Sequence, residues 1–350
     1  MRNPDMDGLS ATVPGPEHTH RGTAGPALWC LLACLAFAQP AAAAWLDRSE
    51  TMMGTLVSVR LWHEEGDASR QAAAAAVDAA IAEIDRIEQL MSTYIDESRI
   101  SEINRDAAER PVPAGEELYG LVETALRVSR LTDGAFDITY DSVGQHYDYR
   151  AGRRPDAGTI EEEIGRLDYR LVTLVPEGHA IRFRRDGVRI NLGGIAKGYA
   201  VERAVAVLAG AGYRHAIVTA GGDSRLLGDR GGEPWVVGVR DPRSEEGVAV
   251  RLPLVDEAIS TSGDYERYFE EDGVRYHHIL SPATGEPARG VYSATVVGPD
   301  GVLTDALSTS VFVLGVERGL ALIEELPGYE AIVIDAGGRM HYTAGLAPPE

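Results

Sequence analysis

Residues 55–62 (TLVSVRLW) alternate apolar and polar side chains, the pattern of a strand with one buried face. The period then changes. Within an Ala-rich run at 68–91, Val77, Ile81, Ile84, Ile87 and Met91 recur at three- and four-residue steps and predict a long amphipathic helix. A second helix is predicted over 116–131, ended by Asp133-Gly134. Residues 135–169 show no sustained period and hold Tyr147, Tyr149 and a basic patch at Arg150, Arg153 and Arg154. Short strands are predicted at 171–175, 180–184 and 188–192, and then a helix over 194–209. Further on, strand patterns at 215–220, 235–240, 248–254, 258–262, 275–280 and 293–297 are separated by turns rich in Gly, Pro and Asp. Helices follow at 304–314 and 317–326, and strands at 331–334 and 340–343. Neighbouring strands with helices set apart predict an α+β fold with mixed or antiparallel sheets, not a repeating βαβ unit.

The amino-terminal segment follows different rules. Arg21 precedes the apolar run Ala27 to Ala38, and Gln39-Pro40 and the small residues Ala41 to Ala44 follow it. A basic flank, a short apolar run and a small-residue cleavage region predict an export signal over 1–44 and a single domain over 45–350. The run is shorter than the roughly 20 residues that span a bilayer. Both cysteines, Cys30 and Cys34, lie in this segment. Cleavage within 38–44 would leave a periplasmic protein without thiol chemistry. Leu31-Leu32-Ala33-Cys34 keeps a second route open, membrane attachment through a lipid on Cys34.

Charge narrows the ligands. The chain of 350 residues carries a formal charge of −21, with acidic residues spread along its length. Such a surface repels nucleic-acid phosphates, so no nucleic-acid partner is expected. A phosphate ligand would need a local site of metal, backbone N–H groups or lysine. Asn191-Leu192-Gly193-Gly194-Ile195-Ala196-Lys197 offers one: two glycines lead into a helix whose first turn carries Lys197. The same glycine pair also suits a plain tight turn, and the spacing is not that of a P-loop. Asp305 and Thr309 stand four apart on a predicted helix, so both oxygens leave from one face. A carboxylate and a hydroxyl suit Mg²⁺ completed by water and ligand phosphate, or they complement the helix dipole and packing. His277 and His278 end a strand and must face opposite ways, so at most one serves any site. No zinc-protease, nucleophile-elbow or paired-cysteine pattern is present.

Taken in order, a set of short motifs resembles the ApbE family of FAD:protein FMN transferases. They are Met53-Gly54-Thr55, then Leu90 to Tyr94 with Ser98, Ile100, Ser101 and Asn104, then Thr132 to Asp137 (TDGAFD). Leu192 to Ala200 (LGGIAKGYA), Ala220 to Asp223 (AGGD), Trp235 to Pro242, and Ala258 to Gly263 (AISTSG) follow. His278-Ile279 and Asp305 to Thr309 complete the series. The resemblance implies an ApbE-like, T-fold-related architecture. It implies that Met53, Tyr94, Ala135, Phe136, Asp137, Asn191, Lys197, His278 and Ile279 line the site for FAD, the substrate. It also implies that Gly194 (through its carbonyl), Asp305, Ser308 and Thr309 hold Mg²⁺, with His278 as the catalytic base. Many members carry Asp where this chain has Asn191 and Ser281, and residues 138–149 lack the family's usual Pro- and Trp-containing pattern.

The activity implied is transfer of FMN from FAD to a Ser or Thr hydroxyl of an acceptor flavoprotein, with release of AMP. The alternatives are hydrolysis of FAD to FMN and AMP, or FAD storage without chemistry. The acceptor implied is a periplasmic domain of a membrane redox complex, of the Rnf or Nqr type, or the flavoprotein serving nitrous-oxide reduction.

Overall fold

The computed structural model describes residues 43–244 and 247–347. The predicted export signal at 1–44 lies outside the described residues, save that Ala43 and Ala44 already open the first strand. That strand, Ala43–Met52, pairs with Thr55–Glu64 through a two-residue turn at Met53 and Gly54. Both turn residues have positive φ (51° and 68°), as a tight hairpin matched to strand twist requires.

Eight strands form the main sheet, and every neighbouring pair is antiparallel. Their order in space follows their order in sequence, so the sheet is a meander from which the chain makes excursions. The longest excursion, between Thr55–Glu64 and Ala216–Ala220, contains the helices Asp67–Met91, Glu116–Leu131 and Ala196–Gly210. A later one, between Val291–Gly298 and Glu330–Asp335, is the helix Gly301–Glu324. This is the α+β, antiparallel arrangement that the strand and helix patterns predict.

Strand periodicity assigns the two faces of the sheet. Val218, Val296 and Val333 join the helices in the core, while their neighbours Ile217, Val297 and Ile332 face the other way. The opposite face is covered by the hairpin Trp235–Arg240 with Val248–Leu254, whose Trp235 meets Trp45 edge-on at 5.4 Å. By length and composition Gly301–Glu324 is apolar enough to cross a bilayer. Here Leu307, Val311, Phe312 and Ile323 pack it onto the sheet.

Two differences from the periodicity, at 188–192 and 223–227, have physical reasons. Residues 188–192 read as a strand but join no sheet, because their polar backbone is met by side chains. The Asn104 amide both accepts from Ile190 N (2.8 Å) and donates to Ile190 O (2.9 Å), and Ser142 Oγ accepts from Arg189 N (3.0 Å). The two helices predicted at 304–314 and 317–326 are both present within Gly301–Glu324, divided at Gly315, whose φ of 79° no helix tolerates. Asp223–Leu227, hidden in sequence behind a glycine turn, is a strand of the main sheet.

The helices Ala196–Gly210 and Gly301–Glu324 cross at Gly198, where no side chain fits. A Cβ on Gly198 would sit 2.1 Å from the Gly301 carbonyl oxygen and 2.7 Å from Asp305 Cβ. We expect Gly198→Ala to force the helices apart, at a cost of about 1–3 kcal/mol typical of overpacking. A melting temperature equal to that of the parent would contradict this close approach.

Candidate active site

The close crossing brings Lys197 and Asp305 together. Lys197 leaves the first turn of its helix, where Leu192 O accepts from Ile195 N and Ala196 N (2.9 and 2.8 Å). Its Nζ bonds Asp223 Oδ2 and lies 4.0 Å from Asp305 Oδ1. Asp305 Oδ2 accepts from Gly198 N at 2.9 Å. Asp223 and Asp305 are 1% and 2% exposed, so one ammonium serves two buried carboxylates. Burial acts most strongly on Lys197 and opposes its charge, yet the two carboxylates outweigh it and raise its pKa. Burial, and then the charge of Asp223, raise the pKa of Asp305. Asp223 Oδ1 remains buried without a hydrogen-bond partner.

Glycine geometry places Asp223. Gly221 turns the chain with φ of 62°, and a Cβ on Gly222 would stand 2.6 Å from the Thr261 carbonyl oxygen. The turn therefore seats Asp223 against Ser260 of the neighbouring strand.

Thr309 stands one helical turn beyond Asp305, on the same helix face. A Cβ built on Gly194 would lie 3.3 Å from Thr309 Oγ1 and 3.1 Å from Phe136 Cε2, so the glycine lets its backbone close on the hydroxyl. Ser262 Oγ, from the strand Ala258–Gly263, lies 3.1 Å from Thr309 Oγ1 and 2.8 Å from Ser308 Oγ. Ser308 Oγ also donates to Asp305 O at 2.9 Å. Ser308 thus supports the helix behind Thr309, which meets the Gly194 backbone, with Asp305 one turn earlier on the same helix face. Carboxylate, hydroxyl and carbonyl are hard oxygen donors, as Mg²⁺ prefers. The carboxylate excess around Lys197 and the unpartnered Asp223 Oδ1 also fit a cation. Among the described residues no group of three or more His, Cys, Asp or Glu is placed to hold a metal. Substrate phosphate and water would complete such a site.

The two histidines divide as strand geometry demands. His277 is buried against Phe312; its Nε2 pairs with Ala288 O at 2.9 Å, and its Nδ1 accepts from Ile279 N at 3.3 Å. His278 has a buried Nδ1 with no partner. Burial first, then the charges of Arg267, His277 and Lys197, lower its pKa from 6.5 to about 3. It is therefore a neutral imidazole beside a cationic group, with a free ring nitrogen.

The remaining expected residues are more scattered. Met53 sits at its hairpin turn, its N–H held by Glu88 Oε2 at 2.8 Å. Tyr94 is 84% exposed on a loop, an unpartnered aromatic face. Asn191 Nδ2 donates to Thr93 Oγ1 and Asp141 Oδ1 (both 3.2 Å), and its Oδ1 accepts from Gly193 N at 2.8 Å. It ties the Tyr94 loop to the glycine turn. Asp137 is a structural acceptor: Oδ1 takes Thr139 N and Oγ1, and Oδ2 takes Tyr169 N. Burial pushes its pKa up to about 6 against those hydrogen bonds. The Ile279 side chain packs in the core with Phe312. A cleft of about 330 Å³ is lined by Ala135, Asp137, Tyr169 and the Ser281-Pro282 turn, and by none of Lys197, Asp223 and Asp305. Asp223, Ser262 and Arg267 were not expected as site residues. Asp223 and Ser262 lie in motifs that mark their neighbourhoods, whereas Arg267 emerges only from strand pairing.

An antiparallel sheet whose helices clamp an acid–lysine–acid cluster against a glycine turn defines the class: the chain belongs to the ApbE family, whose model matches residues 53–333. The FAD:protein FMN transferase of Treponema pallidum is 34% identical, across 86% of this chain and 87% of that protein. That of Vibrio cholerae is 31% identical, across 85% and 90%. Among solved structures, the ApbE protein of Thermotoga maritima superposes with a TM-score of 0.77 at 36% identity, covering 86% of this chain and 98% of that one. The Vibrio cholerae flavin transferase ApbE gives 0.74 at 27%, covering 87% and 98%.

Proposed function

We propose that the chain is an FAD:protein FMN transferase that moves FMN from FAD to a Thr or Ser hydroxyl of an acceptor flavoprotein and releases AMP. The observation that carries this reading is the buried Lys197–Asp223–Asp305 cluster, with its carboxylate excess, near the free nitrogen of neutral His278. Family membership and relatives bearing that activity support it.

In this mechanism Asp305, Thr309 and the Gly194 carbonyl would hold Mg²⁺, backed by Ser262 and Ser308. Bound there, the ion would neutralise diphosphate charge as it shifts onto the leaving AMP. Lys197 keeps the two carboxylates apart and fixes Asp305. His278 Nδ1, in the tautomer protonated at Nε2, accepts the proton of the acceptor hydroxyl. A bond forms from that oxygen to the FMN-side phosphorus, and the bond from this phosphorus to the bridging oxygen breaks, so that AMP leaves with the oxygen. Positioning and charge stabilisation supply most of the rate. The exposed Tyr94 ring would cover the flavin and hinder attack by water.

The proposal includes export, with residues 1–44 as the signal and Cys34 as an alternative lipid anchor. It also places the acceptor among periplasmic domains of membrane redox complexes, of the Rnf or Nqr type or serving nitrous-oxide reduction. The test incubates the enzyme with FAD, Mg²⁺ and such a domain, and measures the acceptor's intact mass and free AMP. An FMN phosphoester on the acceptor, with one AMP per adduct, is expected. AMP without adduct would favour hydrolysis, and tight FAD binding with neither product would favour storage.

A further inference from the structure

Lys197, the expected phosphate cation, is already shared between two buried carboxylates. That sharing leaves Lys197 little uncompensated charge for a diphosphate. A second positive group stands close by. Tyr268–Glu271 and Val274–His277 form an antiparallel hairpin in which Tyr268 faces His277. One position further out, His278 N donates to Arg267 O at 3.1 Å, which sets Arg267 opposite His278. Opposed residues of an antiparallel pair project from the same face. The Arg267 side chain accordingly extends over the Met53-Gly54 turn, and a Cβ on Gly54 would stand 2.6 Å from its Nη2. Its charge reaches His278, Lys197 and Tyr140, each of which it perturbs.

Neighbouring arginines are committed elsewhere. Arg243 and Arg275 pair with Asp264, and Arg275 also pairs with Glu270. Arg154 pairs with Glu271. Among the described residues the Arg267 guanidinium makes no hydrogen bond or ion pair, although the chain holds 54 acidic residues. An exposed guanidinium with its donors open, held beside His278 and across the turn from Met53, suits a planar two-point grip on phosphate oxygens.

We infer that Arg267 binds the diphosphate of FAD and holds it before the metal arrives, an inference that rests on the FAD-dependent reading above. Lys197 then acts chiefly on Asp223 and Asp305, and Arg267 supplies the unneutralised positive charge.

The test is binding of FAD and of riboflavin, which has no phosphate, to the full-length protein in EDTA, followed by flavin fluorescence. Arg267→Gln should weaken FAD binding about tenfold, the loss of roughly one charge-assisted contact, and leave riboflavin binding unchanged. Arg267→Lys should recover part of the loss. Equal FAD affinity in the parent and R267Q would overturn the inference while leaving FMN transfer standing. Equal losses for FAD and riboflavin would also overturn it, because the arginine would then shape the flavin pocket. A parent protein that binds no FAD in EDTA would overturn the inference, and one that still binds none with Mg²⁺ restored would overturn the FAD-dependent reading as well.

Discussion

Asp305→Asn should lower metal-dependent FMN transfer by about a thousandfold and leave a folded protein. The magnitude follows from removing a preorganised charge in a water-poor site, typically worth 10²–10³ in rate. Asp305 is the carboxylate one helical turn from Thr309; Asp223 bonds Lys197 directly, whereas Asp305 Oδ1 lies 4.0 Å from that ammonium. The fold should survive for two reasons. An amide oxygen can still accept from Gly198 N, the bond Asp305 Oδ2 makes at 2.9 Å. The substitution also removes a buried negative charge whose ionisation burial disfavours, and Lys197 keeps Asp223 as its partner. Adduct formation followed by intact mass at saturating FAD, with thermal melts in EDTA, checks both halves. Transfer within threefold of the parent would remove Asp305 from the metal site.

His278→Ala should reduce turnover by about 10²–10⁴, the usual contribution of a positioned base, with little change in FAD affinity. The pH dependence gives an independent check. Burial and the adjacent positive charges hold His278 at about 3 instead of 6.5, so its imidazole stays neutral through pH 5–8 in the free enzyme. The form unable to accept a proton fills only as pH falls toward 3, so kcat/KM should show no histidine limb near 6.5. Stability carries the matching sign. The unfolded chain takes up the proton first, so this residue's contribution is intact above pH 6.5 and declines as pH drops from there toward 3. His277, lowered to about 4 mainly by burial, adds in the same direction. A kcat/KM profile that titrates at 6.5 and persists in H278A would exclude His278 as the base.

Most of the helical framework was legible because each long helix buries one stripe; Val77, Ile81, Ile84, Ile87 and Met91 lie on the buried side of Asp67–Met91. The site was legible only where its residues are close in sequence. Asp305 and Thr309 could be read as a pair because four residues make one helical turn. The neutralisation of Lys197 could not, since Asp223 lies 26 positions away on a strand that the glycine turn conceals. Alternation established that one histidine alone could face the site. The family motif, not alternation, pointed to His278, and His277 is separately occupied by Ala288 and Ile279. Asp137 reads as a possible ligand contact in its motif, yet its oxygens are occupied by Thr139 and Tyr169, the latter 32 positions on. Residues 188–192 misled for a related reason, because a distant Asn104 amide replaces the strand partner their pattern implies.

Crystals soaked with FAD and Mn²⁺, with data collected at the manganese absorption edge, examine the oxygen-lined pocket directly. One anomalous peak bonded to Asp305, Thr309 and the Gly194 carbonyl, and to a phosphate of the dinucleotide, is the expected result. Bound dinucleotide with the metal elsewhere, or with no peak at that pocket, would contradict the account.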